Sequence, residues 1–325
     1  MSISNPSRYR SRIACLLGLA VVAAGTVALA SAAPAQAPKR PRITGVAHIA
    51  VYAHDVDKTV AFYRDFLGYA EPFRLNRGSG VLHLAFVKVN DRQFVEVFPE
   101  KAEGGDRLNH IALEVEDAEA MRAYLASRGV KVPAKVPVGR IGNANFNITD
   151  PDGHTVEIVQ YLPEGRTAKE RGNDLPDSRI SSRIMHVGVS VASLGPALDF
   201  YRDILGCQET WRGSAKGKEL NWVNVKVPDG DTYVEFMLYK GDLPTQRLGT
   251  MHHLCLETPD IDKAKATLEA RPARQDYTRD LEIKTGVNRK RQLNLFDPDG
   301  TRIELMEPMT VDGTPAPSSP APPPR

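Results

Sequence analysis

The chain has 325 residues, with 42 lysines and arginines against 40 aspartates and glutamates and only three cysteines. So even a charge balance leaves no basic footprint, which excludes nucleic acid as an expected partner, and three cysteines are too few for a disulfide framework. The length suits two domains, each able to bury its own core.

Taken in chain order, Arg8, Arg10 and Arg12 precede an apolar run from Ile13 to Ala30, and Ala30-Ser31-Ala32 offers a small-residue cleavage site. This reads as a signal peptide over 1–32, so the expected location is exported, periplasmic or secreted, with no membrane association after cleavage. The competing reading is a retained transmembrane anchor. Residues 33–42, rich in proline and basic side chains, read as a flexible leader. Cys15 lies in the apolar run, and Cys207 and Cys255 read as small buried residues.

From Ile43 the pattern becomes regular. His48 stands in an apolar strand, a helix follows with Val60, Tyr63, Phe66 and Leu67 at helical spacing, and Gly68 stops it. Three strands are then expected at about 69–75, 81–89 and 93–98. The order recurs three more times, opening near Asn109, Ile184 and Met251. Ala61-Phe62-Tyr63-Arg64-Asp65-Phe66-Leu67-Gly68 is nearly copied by Asp199-Phe200-Tyr201-Arg202-Asp203-Ile204-Leu205-Gly206, and Asp150-Pro151-Asp152-Gly153 by Asp297-Pro298-Asp299-Gly300. The chain is therefore a duplicated pair of βαβββ units, an α+β protein with modules at 43–162 and 184–308. Residues 163–183 read as a linker, and 309–325 as a disordered Pro-rich tail.

Each unit closes on a strand with one glutamate inside an apolar run: Glu96, Glu157, Glu235 and Glu304. Each also carries a histidine in its first strand: His48, His110, His186 and His253. The separations run from 47 to 51 residues. A lone strand histidine is usually a satisfied core residue, and a lone strand glutamate usually lies on an edge. Four matched pairs are different, because a buried carboxylate needs a cation. Two imidazoles and two carboxylates suit an octahedral divalent ion with two positions free for water or substrate. Two residues after each histidine, on the same face, stand Ala50, Ala112, Gly188 and Cys255, all small, while Phe94, Phe98, Tyr161, Tyr233, Met237 and Tyr239 would wall a cavity. His54, His83, His154 and His252 do not repeat in register and read as surface or turn residues, His83 lying near the pocket. Arg140, Asn145, Arg289, Arg291 and Asn294 are candidates for holding a small anionic or carbonyl-bearing substrate.

The paired βαβββ units, the Phe-Tyr-Arg-Asp-x-Leu-Gly helix end, the Asp-Pro-Asp-Gly turn and the histidine and glutamate positions together resemble the vicinal oxygen chelate superfamily. That group includes glyoxalase I, methylmalonyl-CoA epimerase, extradiol dioxygenases and bleomycin resistance proteins. The resemblance implies curved mixed sheets, a monomer or homodimer, and a divalent metal (Ni, Zn, Mn or Fe(II)). It also implies glyoxalase-like lyase or isomerase chemistry on a hydroxy-carbonyl compound, with Glu157 or Glu304 moving the proton. The alternatives are an Fe(II) extradiol-type dioxygenase and a non-catalytic ligand-binding protein. An exported enzyme stands apart from cytosolic glutathione, so related chemistry on another substrate is expected. Two closures are open: units one and two share a hollow, or the halves exchange. The short link from Phe98 to Asn109 favours the unexchanged form.

Overall fold

The computed structural model describes residues 38–324. The expected signal peptide over 1–32 and the first half of the expected leader, 33–37, lie outside these residues. No described helix is long and apolar enough to cross a membrane.

Unit one supplies β1 (Ile43–Ala53), α1 (Val56–Ala61), β2 (Ala70–Asn76), β3 (Leu82–Lys88) and β4 (Phe94–Pro99). Asp55 caps α1 by accepting from the Lys58 amide at 3.1 Å, the usual device for free N–H groups at a helix start. Unit two contributes β5 (Leu108–Val115), α2 (Ala118–Ser127), β6 (Ala144–Thr149) and β7 (Thr155–Gln160), followed by the short α3 (Arg166–Lys169). Its second strand, the counterpart of β2, is reduced to a single bridge between Val138 and Ala144. Unit three comprises β8 (Ile184–Val191), α4 (Leu194–Leu198), β9 (Gln208–Gly213), β10 (Trp222–Lys226) and β11 (Tyr233–Leu238). Unit four comprises α5 (Thr245–Met251), β12 (His253–Glu257), α6 (Ile261–Glu269), β13 (Ile283–Thr285), β14 (Lys290–Phe296) and β15 (Arg302–Thr310). Both Phe-Tyr-Arg-Asp segments continue the preceding helix as a wider π turn. Gly68 and Gly206, at φ of +83° and +82°, end it in the left-handed conformation that favours glycine.

The strands form two mixed sheets. One runs β2-β3-β4-β1-β5-β7-β6 and the other β13-β14-β15-β12-β8-β11-β10-β9. Since β1 pairs with β5, and β8 with β12, each module closes on itself, the unexchanged form. Ile49, Ile111, Val187 and Leu254, one residue after each histidine, point to the helix side and are buried in the core. The opposite face is left concave.

The modules are bound together by the repeated turns. Asp152 of the first turn accepts from the Ala192 amide at 2.9 Å, just ahead of α4, and Asp150 accepts from the Tyr201 hydroxyl at 3.0 Å. Asp299 of the second turn accepts from the His54 amide at 3.1 Å and from Thr59 Oγ1 at 3.1 Å. Each turn therefore anchors on the other module's helix. Midway between the sheets, Gln93 donates to the carbonyls of Val46 and Ile184 and accepts from the Ile184 amide.

Three connecting segments are held more firmly than their composition suggests. Residues 163–183 do not hang free: Tyr69 donates to the Ser181 carbonyl at 2.9 Å, Lys88 donates to the Asn173 carbonyl at 2.8 Å, and the Ile180 amide donates to the Leu67 carbonyl at 2.9 Å. The segment is a strap on the first module, because its backbone satisfies buried polar groups there. The tail, as described over 309–324, is not disordered either. β15 extends to Thr310, the Ser319 amide donates to the Arg212 carbonyl at 2.9 Å, and the Leu220 amide donates to the Pro322 carbonyl at 2.8 Å. It covers β9, which would otherwise expose an unpaired edge. The end of the leader is likewise fixed, Arg40 pairing with Asp229 at 3.0 Å.

Candidate metal centre

Register explains why the small residues recur. Ala50 lies between Glu96 on β4 and His110 on β5, while Ala112 lies between His48 on β1 and Glu157 on β7. In the second module Gly188 lies between Glu235 and His253, and Cys255 between His186 and Glu304. A larger side chain at any of these positions would fill the space into which two donors lean.

In the first module all four predicted donors converge. His48 Nε2 and His110 Nε2 are 2.9 Å apart. Glu96 lies 3.7 Å from His48 and 4.0 Å from His110, and Glu157 lies 3.9 and 3.3 Å from the same atoms. All four residues are buried. Burial pushes the Glu96 carboxyl well up, helped by repulsion from Glu157. It pushes Glu157 up to about 7, against a hydrogen bond from Asn145 at 3.0 Å. Burial drives His110 down to about 4, and burial together with His110 drives His48 far below its ordinary value. Without a cation the site holds two imidazoles that resist protonation and two carboxyls that resist ionisation.

A cavity of about 320 Å³ opens onto this set. Phe94, Phe98 and Tyr161 wall it, as expected, and Arg140 and Asn145 line it. His83 also lines it, edge-on to Phe98. Asn109, Asn147 and Thr167 line it too and were not legible beforehand, since isolated asparagines and threonines carry no pattern.

The second set is assembled with the same spacing. His186 Nε2 and His253 Nε2 are 3.0 Å apart, and the carboxylates of Glu235 and Glu304 lie 3.4 to 3.9 Å from them. Its surroundings differ. Both histidines are fully buried, Tyr233 stacks on His186 at 4.5 Å, and the adjoining cavity of about 240 Å³ reaches the glutamates but not the imidazoles. Trp211, Trp222 and Arg302 line that cavity, while Met237 lies against Arg302 and Tyr239 lines neither cavity. Burial raises the Glu304 carboxyl, but a hydrogen bond from His186 and the Arg302 charge outweigh it, so the net direction is down.

Two substrate candidates are corrected. Arg291 faces the helix side of β14 and forms two 2.7 Å hydrogen bonds to Asp262 of α6. Arg289 occupies a positive-φ turn and pairs with Asp312. Neither lines the cavity beside either donor set. Asn294 faces Glu304 across the strands, but it too lies outside the cavity lining. His154 and His252 are not surface residues. Ser190 Oγ lies 3.3 Å from His154 and 2.8 Å from His252, and Asp150 and Asp106 hold the far side of each ring. Cys207 and Cys255 are free and buried, as expected.

A donor set fits one six-coordinate ion when its members lie between about 3.0 and about 4.2 Å apart, the adjacent and opposite spacings for bonds of about 2.1 Å. In the first module His48, Glu96 and His110 each offer one atom within 4.8 Å of the others, Glu157 stands 3.3 to 3.9 Å from the two imidazoles, and His110 Nδ1 has an acceptor in Asn109 Oδ1 at 2.9 Å, the outer support a ligating imidazole needs. In the second module His186, His253 and Glu304 come together in the same way, with Glu235 3.4 to 3.8 Å from the imidazoles; His253 Nδ1 has the Met251 carbonyl at 2.9 Å, while His186 Nδ1 is buried without a partner.

Paired βαβββ units that close a sheet around two histidines and two glutamates define a vicinal-oxygen-chelate protein. A model of the Glyoxalase/Bleomycin resistance protein/Dioxygenase superfamily matches residues 45–158 and again 183–305, and the chain belongs to that superfamily. It is 24% identical over 316 residues to a lactoylglutathione lyase of Schizosaccharomyces pombe, covering 80% of this chain and 95% of that one. In fold it is similar to the 2,3-dioxygenase LapB from Pseudomonas sp. KL28, with a TM-score of 0.64 at 17% identity, covering 85% of this chain and 97% of the other. It is also similar to the Mn(II)-bound glyoxalase from Novosphingobium aromaticivorans, with a TM-score of 0.61 at 18% identity and coverage of 82% and 83%.

Proposed function

We propose that the chain is a divalent-metal-dependent lyase or isomerase that moves a proton next to a carbonyl, with the first module as its working site. One observation carries this reading: two histidines and two glutamates face one cavity, and Asn145 holds the Glu157 carboxyl at 3.0 Å. A carboxylate held within reach of the substrate serves as a general base.

His48, Glu96, His110 and Glu157 would hold the ion, which supplies Lewis-acid polarisation of a hydroxy-carbonyl oxygen pair when bound. Glu157 accepts the proton from the carbon adjacent to the carbonyl, and the C–H electron pair enters the enediolate. Returned to the neighbouring carbon, the same proton completes an isomerisation with no net oxidant or reductant. Asn145 orients Glu157, Arg140 faces the anionic end of the substrate, and Phe94 and Phe98 exclude water. The substrate is a small hydroxy-carbonyl compound. Export with cleavage after Ala32 belongs to this proposal and rests on the N-terminal sequence alone.

Ring cleavage with oxygen is the second reading, and the likeness in fold to a 2,3-dioxygenase favours it. Glu157 speaks against it, since a fourth protein donor beside His48, Glu96 and His110 would fill a position that oxygen activation leaves open. Parallel assays on metal-loaded protein separate them: hemithioacetals and related hydroxy-carbonyls in one, catechols with Fe(II) and oxygen in the other. Turnover in the first supports the proposal, and oxygen uptake with a ring-opened product in the second overturns it. Tight binding without turnover in either would assign a binding protein.

A further inference from the structure

We infer that the two donor sets differ in occupancy: the first holds the ion, and in the second Arg302 stands in for it. The inference rests on the metal reading of the first module.

Arg302 lies on β15 two residues before Glu304, on the same face, and is paired with His253 in register. Thr155, two residues before Glu157, is the corresponding residue of the first module, and it brings no charge. Arg302 Nη2 lies 2.8 Å from His253 Nδ1. A guanidinium has only N–H donors, so this contact requires a lone pair on Nδ1, which puts the imidazole proton on Nε2, the atom that would have to face a metal. The Met251 carbonyl, 2.9 Å from the same Nδ1, makes the opposite demand. Arg302 therefore decides the tautomer: with the guanidinium in place His253 cannot ligate through Nε2, and only its withdrawal returns Nδ1–H to Met251.

Charge points the same way. Glu235 and Glu304 border the cavity that Arg302 lines, so a fixed cation already offsets two buried carboxylates, and a divalent ion added there would meet like charge at close range. Gly188 completes the difference, since a Cβ there would lie 2.0 Å from the His253 ring, while Ala50 carries a methyl at the matching place beside His110.

The test is metal counting on the full chain, purified without chelator, loaded with Mn(II), desalted and analysed by mass spectrometry. One ion per chain is expected in the parent and in His253→Ala, and near none in His110→Ala. Arg302→Thr and Arg302→Gln should rise to two, and Arg302→Lys should stay at one. Two ions in the parent would overturn the inference. So would a single ion lost with His253→Ala and kept with His110→Ala, or a count of one in both neutral Arg302 variants with native circular dichroism. Arg302→Gln keeps a long polar side chain, which guards against a folding defect in the threonine variant. No ion in the parent would instead remove the first-module reading beneath the inference.

Discussion

Gly188 lies directly across from His253, and a Cβ on it would approach the imidazole to 2.0 Å. The ring is hemmed in by Arg302 and Met251, so it cannot swing aside freely. Gly188→Ala is expected to cost about 1–3 kcal/mol, the usual range for overpacking a filled core. Urea unfolding measures it, and an unchanged midpoint would mean that the ring is loosely held.

Glu157 is the assigned proton acceptor. Glu157→Gln keeps its shape and its contact with Asn145 but removes the base, so kcat should fall by about 10²- to 10⁴-fold on whichever hydroxy-carbonyl compound is turned over. Asn145→Ala should have a smaller effect, visible mainly as a shifted pH profile. Equal activity in Glu157→Gln and the parent would move the base elsewhere.

The metal-free protein should respond to pH through the same residue. With its folded value raised to about 7, Glu157 binds its proton more tightly folded than unfolded. Its contribution to stability is full below about pH 4 and is lost as pH rises through about 7. His110, held down to about 4, has the opposite sign, contributing above about pH 6.5 and losing that as pH falls toward 4. Thermal unfolding in chelator should therefore show Glu157→Gln gaining on the parent from about pH 5 to about pH 7 and levelling off above that. A constant difference between the two would contradict the assignment.

Ser190 joins His154 and His252 at the seam between the modules. Ser190→Ala leaves buried ring nitrogens without a partner and is expected to cost about 1–3 kcal/mol, read as a lower urea midpoint. No change would mean that water takes the hydroxyl's place.

Removing residues 311–325 strips the cover from Leu220, which is fully buried, and takes away the backbone bonds to Arg212 and Leu220. A lower midpoint and a red-shifted Trp211 emission are expected, with metal content unchanged. A midpoint equal to the parent's would show the cover to be idle.

The repeat made the architecture legible. Histidine to glutamate spacing, strand parity and the copied turns pointed to four units, two concave faces and the histidines and glutamates that gather on them, because burial of a charged group in a β strand leaves a strong local signature. Other parts left none. The linker and tail are proline- and charge-rich, so composition reads as freedom, yet their backbone groups satisfy buried donors and strand edges far away in sequence. Arg289 and Arg291 were drawn into the site by charge, but a neighbouring acidic residue captured each. Arg302 could have been found, since it shares parity with Glu304, but a basic residue entering a strand ordinarily signals an exposed end. His154 and His252 took meaning only from module packing.

The central claim is that His48, Glu96, His110 and Glu157 together hold a divalent ion. Crystals of the full chain grown with Mn(II), with data collected for anomalous scattering, test it most directly. The account predicts a strong anomalous peak within about 2.2 Å of donor atoms from all four residues. A map without that peak, whether the ion binds elsewhere or nowhere, would contradict it.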